Sequence, residues 1–241
     1  RVGVGEVFLT AGQSNSANWG ATRQVTTGRC VSAFDGQAWR SARDPMPVCD
    51  GTGGSIWPLL GDILAETLAC PVGFLCVGVG GTSVAEWDPD VPVPVDRPPR
   101  VEEALYRRRF VPYVPALKPH GCRALLWHQG ETDRETSAEA CEAGLRKLIN
   151  RFRADFGAMP WMMAKVGNAW CPGSGAGIRA AQERIIRDGL ALRGPDTDIL
   201  GQAFRLPGSS HFTNHGLVVH ARLWFACLYA AFFNEPFPTS A

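Results

Sequence analysis

Five apolar runs of strand length, at residues 6–11, 72–79, 123–128, 160–166 and 198–204, alternate with stretches patterned as helices, and this alternation leaves few folds open. A parallel strand pair needs a crossover connection, which a helix supplies, so β and α segments taken in turn build a mainly parallel sheet covered on both faces. The expected architecture is a three-layer, doubly wound α/β domain with a five-stranded sheet. Helices are expected at 57–68, 101–117, 178–192 and 214–233, with Pro112 and Pro115 interrupting the second. Another opens at Thr136-Ser137-Ala138-Glu139, which reads as a capping box, and puts Leu145, Leu148, Ile149, Phe152 and Phe156 on one face. A chain of 241 residues, 45% of them hydrophobic, can bury one substantial core, and residues 1–241 read as a single domain. The stretches 21–54 and 87–100, rich in polar residues, Gly and Pro, read as loops.

Composition narrows the function classes. The formal net charge is +1 and no long run of like charge occurs, so the electrostatic footprint of a nucleic-acid or membrane-surface binder is missing and a small or neutral partner is expected. The apolar stretch 217–233 contains His220 and Arg222 and reads as a buried helix. The eight cysteines form no C-x-x-C pair and no zinc-like spacing with histidine, which argues against a metal site, and no cofactor is expected. Cys76, Cys122 and Cys227 fall in predicted strands and a helix, where buried thiols are ordinary; Cys30, Cys49 and Cys171, in loop-like stretches, are the candidates for bridges. The chain begins at Arg1 rather than Met, which fits either a removed leader or a trimmed sequence, and an exported protein, secreted or periplasmic, is the expectation. Eight tryptophans lean weakly towards carbohydrate, since indoles stack on sugars as well as fill cores.

The first apolar run delivers Ser14 to a turn, in Gly12-Gln13-Ser14-Asn15. Serine is a weak nucleophile at its free pKa, so an enzyme that uses one holds it rigidly beside a base and amide donors. The spacing Gly-x-Ser-x-Ser is not the Gly-x-Ser-x-Gly elbow of α/β-hydrolases, and a lone serine here caps a helix as readily as it attacks an ester. Three further blocks change that balance: Gly80-Gly81-Thr82-Ser83 with Trp87, Trp127-His128-Gln129-Gly130-Glu131-Thr132-Asp133, and His211-Phe212 ahead of Gly216. Ser14, Gly81 and Glu131 each follow a predicted strand, and in open α/β sheets ligands bind outside the carboxyl ends of the strands.

Together, and in this order along nearly the whole chain, the blocks resemble those of SGNH-type carbohydrate esterases, of the branch holding sialate O-acetylesterases and the acetylxylan esterases of carbohydrate esterase family 6. The resemblance implies a flavodoxin-like SGNH hydrolase fold and a serine esterase that removes O-acetyl groups from a carbohydrate of acetylxylan or sialate type through an acetyl-serine. It makes Ser14 the nucleophile and His211 the base, in preference to His120, His128, His215 and His220. The sequence departs from the family where Asp usually stands three residues before the histidine: that position is Gly208. Glu131 is then the expected partner for the far nitrogen of His211, with a Ser–His dyad braced by Ser209, Ser210 or a carbonyl as the alternative; Asp133, Asp196 and Asp198 are other carboxylates for that place, though such residues are more often solvated caps or salt-bridge partners. The expected oxyanion donors are the N–H groups of Ser14 and Gly81 and the side-chain amide of Gln129. Trp87 and Asn15 are expected to touch substrate. Arg97, Arg100, Arg107, Arg108 and Arg109 form a basic patch suited to a sugar carboxylate or to solvent. Two other functions fit the same blocks: a carbohydrate-binding protein weakened in catalysis by the loss at Gly208, and a short-chain lipid or thioester hydrolase on the same fold.

Overall fold

The computed structural model describes residues 5–28, 30–91, 104–119, 121–167 and 174–234. Its strands are β1 (Glu6–Gly12), β2 (Val31–Phe34), β3 (Trp39–Ser41), β4 (Val72–Cys76), β5 (Ala124–His128), β6 (Trp161–Lys165) and β7 (Leu192–Asp196). The helices are α1 (Trp57–Leu68), α2 (Leu105–Arg109), α3 (Ala138–Phe156), α4 (Ala176–Arg187) and α5 (Asn214–Phe232). One sheet holds the strands in the order β3-β2-β4-β1-β5-β6-β7, parallel except for β2 with β3. The sheet therefore has seven strands, not the five expected from sequence.

The period of two along each strand divides its side chains between two cores. Leu9, Leu75, Leu125, Trp127 and Met163 face Leu145, Leu148 and Phe152 of α3 and Ile178 and Ala181 of α4. Phe8, Phe74, Leu126 and Met162 face the other way, onto Leu60 and Leu64 of α1 and Leu217, Trp224 and Leu228 of α5. Both faces are covered, as a doubly wound sheet requires.

Four expectations are corrected by this layout. The segment 198–204 does not form a strand but two 3₁₀ turns, Thr197–Ile199 and Gln202–Phe204; the last strand is Leu192–Asp196. That strand lies at the sheet edge, where Pro195 costs no ladder bond and a register shift between Met163 and Lys165 is tolerated. The stretch 21–54 contains β2 and β3, joined by a turn in which Asp35 accepts from the N–H groups of Gln37 and Ala38. The helix expected at 101–117 is reduced to α2 and a 3₁₀ turn, Val114–Leu117, with 101–103 outside the described residues. The cap of α3 is Ser137, whose hydroxyl accepts from Ala140 N, rather than a Thr136–Glu139 box; a reciprocal box does occur at Ser83 and Glu86.

Among the described residues α5 is the helix long and apolar enough to cross a membrane by length and composition; its stripe Leu217, Ala221, Trp224 and Leu228 is buried against the sheet and α1. The seven described cysteines are unbridged, Cys30 exposed and Cys49 buried, which corrects the expectation for those two; Cys171 lies outside the described residues.

Candidate active site

The carboxyl ends of β4, β1 and β5, adjacent in the sheet, bring the first three sequence blocks side by side. Parallel-sheet hydrogen bonding runs on past the strands: Val79 N donates to Gly12 O (2.9 Å) and Gln13 N to His128 O (2.9 Å). Gly12 is required at this junction, because its φ is +119° and a Cβ would stand 2.0 Å from the His128 carbonyl oxygen. Ser14 opens the 3₁₀ turn Ser14–Ser16 directly after β1 and is 3% exposed. Gln13 Oε1 accepts from Gly130 N (3.2 Å), Thr132 N (3.1 Å) and Gln129 Nε2 (3.1 Å), fastening the serine turn to the loop after β5. Asp133 joins that loop to the one after β4: its carboxylate accepts from Val84 N (2.9 Å) and Gln129 Nε2 (2.7 Å). Burial pushes the Asp133 carboxyl up to about 6, against those two hydrogen bonds and with help from the charges of Glu131 and Glu86.

His211 arrives from the opposite direction, on the loop before α5. Its backbone is fixed by Leu206 N donating to His211 O (2.8 Å) and His211 N donating to Ser209 Oγ (3.1 Å). Gly208 has φ +64°, a left-handed conformation that glycine adopts without strain in the turn ahead of His211. The stitch between the Ser14 turn and the His211 loop is Asn15: its Nδ2 donates both to Glu131 Oε1 (2.6 Å) and to the carbonyl of Ser210 (3.1 Å), next to His211. Arg205 braces the same loop. Its buried guanidinium donates to the carbonyls of Leu200 (2.9 Å), Thr197 (2.9 Å) and Ser210, and lies 4.4 Å over the Phe212 ring.

Glu131 is the charge at the centre of this assembly. Burial opposes its ionisation, but His128 Nε2 at 3.2 Å, Arg205 and Asn15 outweigh that and hold the carboxyl below the usual glutamate range. No hydrogen bond joins Glu131 to His211, which corrects the expected geometry: Oε1 is taken by Asn15 and His128, while Oε2 is buried without a partner. Its negative charge nonetheless reaches His211. Burial lowers the His211 pKa, Glu131 raises it and Arg205 lowers it, with a net displacement below the ordinary histidine value. The imidazole is thus neutral, the form a general base needs, at neutral pH. Behind His128 the buried ring of His220, 5.1 Å away and edge-on, accepts from Trp224 Nε1 (3.0 Å). Burial, then His128 and Arg205, hold His220 well below the usual histidine range, so it is a neutral packing element.

Other expected site residues fall differently. Gln129 Nε2 has only two hydrogens and faces three acceptors, Gln13 Oε1, Asp133 Oδ2 and the Thr82 carbonyl, so it is a buried brace rather than an oxyanion donor. Gly81, with φ +68°, does lie in the turn after β4 at the same edge as Ser14. Trp87 does not line a substrate surface: it is 0% exposed, packs on Phe110 and Trp127, and donates to Thr82 Oγ1 (3.1 Å) from beneath the loop. In the basic patch Arg107 and Arg109 donate to the carbonyls of Pro89 and Val48, while Arg97 and Arg100 lie outside the described residues. Asn15 is buried and structural in its contacts. His128 and Arg205 are site residues that the sequence reading does not assign; the position of His128 at the end of β5, three residues before Glu131, is the signal that points to it. No cluster of histidine, cysteine, aspartate or glutamate suited to a metal ion occurs among the described residues.

Residues 4–197 match the family described as carbohydrate esterase, sialic acid-specific acetylesterase. No curated protein sequence matches the chain. The fold is similar to that of a protein from Arabidopsis thaliana, at 20% identity with TM-score 0.69, over 94% of this chain and 98% of that one. It is also similar to a carbohydrate acetylesterase from Xanthomonas citri, at 17% identity and TM-score 0.68, with 98% of this chain covering 59% of that protein. The psychrotrophic esterase EstA from a Pseudoalteromonas species matches at 13% identity and TM-score 0.57, over 93% of this chain and 97% of that one. With residues 4–197 matching that family's model, the chain belongs to the carbohydrate esterases described as sialic acid-specific acetylesterases.

Proposed function

We propose that the protein removes O-acetyl groups from a carbohydrate through an acetyl-enzyme on Ser14. The observation that carries this reading is the double hydrogen bond of Asn15, which ties the serine turn to Glu131 and to the His211 loop at once. In the first half-reaction Ser14 Oγ attacks the acetyl carbonyl and His211 takes the hydroxyl proton. The Glu131 carboxylate stabilises the imidazolium through its charge, so Glu131 acts as a positioning and electrostatic residue, not as a proton acceptor. The oxyanion falls beside the Ser14 N–H and the Gly81 turn, where each preorganised donor is worth about 3 kcal/mol of barrier. Collapse breaks the ester bond, the sugar oxygen leaves with the proton from His211, and water attacks the acetyl-serine by the same route in reverse.

The test is hydrolysis of p-nitrophenyl esters from acetyl to octanoyl by wild type and Ser14→Ala, with acetate release from acetylated xylan and from an O-acetylated sialic acid. Ser14-dependent turnover confined to the short acyl groups is expected. Turnover maintained to octanoyl would transfer the reading to a lipid-type ester. Wild type no faster than Ser14→Ala throughout would leave a carbohydrate-binding protein.

A further inference from the structure

Trp19 is out of place by hydrophobic criteria: it is 41% exposed, whereas Trp57, Trp87, Trp127, Trp161 and Trp224 are fully buried. Yet its position is fixed from several sides. Its Nε1 donates to Asp50 Oδ1 (3.0 Å), and the same carboxylate oxygen accepts from Gly80 N (2.8 Å). A Cβ at Gly80 would stand 2.6 Å from Trp19 Nε1, and one at Gly51 2.8 Å from it, so the indole edge lies flush against bare backbone. The chain on either side of the indole is fastened to the loop 46–54: Asn18 N donates to Asp50 O (3.0 Å), Gly53 N to Asn18 O (2.8 Å), and Gly20 pairs with Gly54 in both directions (2.8 Å). On its other side the indole meets the His211 imidazole, ring centroids 5.5 Å apart at 31°.

An immobilised aromatic face, half open to solvent, therefore stands between the base and the Gly80–Gly81 turn. We infer that this face is the platform on which the acetyl-bearing sugar ring stacks, with Trp19 as a specificity-determining residue of the site; the inference rests on the carbohydrate esterase reading given above. A pyranose offers one apolar face of C–H groups and a rim of hydroxyls. The indole matches the first, and the Asp50 carboxylate with the adjacent glycine backbone matches the second. An acyl chain needs a continuous apolar trough instead, and the neighbours of Trp19, namely Asp50, His211, Gly51 and Gly80, do not form one.

Binding separates this inference from the chemistry. An acetylated xylo-oligosaccharide and an O-acetylated sialic acid glycoside are titrated by calorimetry into Ser14→Ala, Ser14→Ala/Trp19→Ala and Ser14→Ala/Trp19→Phe, with thermal melts confirming that each variant is folded. For the tighter-binding probe the double variant with alanine is expected to bind at least about tenfold more weakly, and the one with phenylalanine to fall between. Affinity within about twofold in the alanine variant, or no binding of either sugar by Ser14→Ala, overturns the platform. Hydrolysis of ethyl acetate by the wild type, measured in parallel, reports on the ester chemistry alone. A failure there with sugar binding retained removes the esterase reading and leaves the platform, whereas the reverse outcome removes the platform and leaves the esterase.

Discussion

Ser14 stands directly on the end of a sheet strand, whereas the His211 loop reaches that edge with the help of the Asn15 and Arg205 side chains. On the nucleophile side, backbone hydrogen bonds continue from β4, β1 and β5 into the turns, and Gly12 and Gln13 lock those turns together. On the base side the loop 205–213 crosses to the same edge and is fastened by Asn15 and by the buried Arg205 guanidinium. The first arrangement derives from neighbouring strands, with the Gln13 and Asp133 side chains joining their turns. The second depends on two polar residues whose partners are nearly two hundred positions away in the case of Asn15. A site divided in this way fixes Ser14 rigidly and makes the His211 loop, and the field around it, the adjustable half.

Variants can break this contrast at either side. The largest effect is expected for Ser14→Ala and His211→Ala, each lowering kcat on an acetyl ester by at least about a thousandfold with little change in melting temperature. Trp87→Ala, beneath the loop after β4, is expected to act on the fold instead: deleting a fully buried indole costs about 3–5 kcal/mol, read from urea unfolding. Glu131→Gln sharpens the contrast most. It removes the charge that stabilises the imidazolium, and kcat is expected to fall by about tenfold to a hundredfold. Because Glu131 raises the His211 pKa, its loss must also move the acidic limb of the kcat/KM profile to lower pH, a displacement that a merely structural role would not produce. A loss of less than about tenfold with an unmoved limb would remove Glu131 from the mechanism.

Smaller effects follow from the stitches themselves. Asn15→Ala leaves Glu131 and Ser210 short of a donor inside the protein, a cost of about 1–3 kcal/mol in unfolding free energy, with a loss of activity that Ser14-side geometry alone would not predict. Asp133 gives a pH signature. Its carboxyl is raised to about 6 in the folded protein, so the native state holds a proton that the unfolded chain has released. Stability must therefore decline as pH rises from the ordinary aspartate range to about 6, and Asp133→Asn is expected to flatten that decline in a series of melts across the same window.

What the sequence conveyed follows the same division. The strands that carry the site, β1, β4, β5 and β6, were legible because central strands of a parallel sheet are apolar on both faces. The edges were not. Leu192-Arg193-Gly194-Pro195-Asp196 has no strand pattern and pairs on one side only, while the apolar content of Asp198–Phe204 belongs to 3₁₀ turns and the link between them, with Leu200 buried and Ile199 exposed. The short hairpin of β2 and β3 was hidden in a polar, glycine-rich stretch because three or four residues give too little alternation to read. Within the site, the nucleophile block and its neighbours could be placed from local motifs. The partner of Glu131 could not, since the choice among His128, Asn15 and His211 is made by side-chain packing across the sheet edge. Trp87 illustrates the same limit: it follows the Gly80–Ser83 block in sequence, and only its full burial shows that it belongs to the core.

The central claim, that Ser14 is activated by His211 within the field of Glu131, is tested most directly by the pH dependence of Ser14 labelling with a short-chain p-nitrophenyl phosphonate, mapped by peptide mass spectrometry in wild type and Glu131→Gln. The account predicts a single label on Ser14, a rate that falls on acidification below the ordinary histidine range, and a slower reaction whose acidic limb lies at lower pH in Glu131→Gln. A label on another residue, or a Ser14 rate with the same magnitude and pH dependence in both proteins, would contradict it.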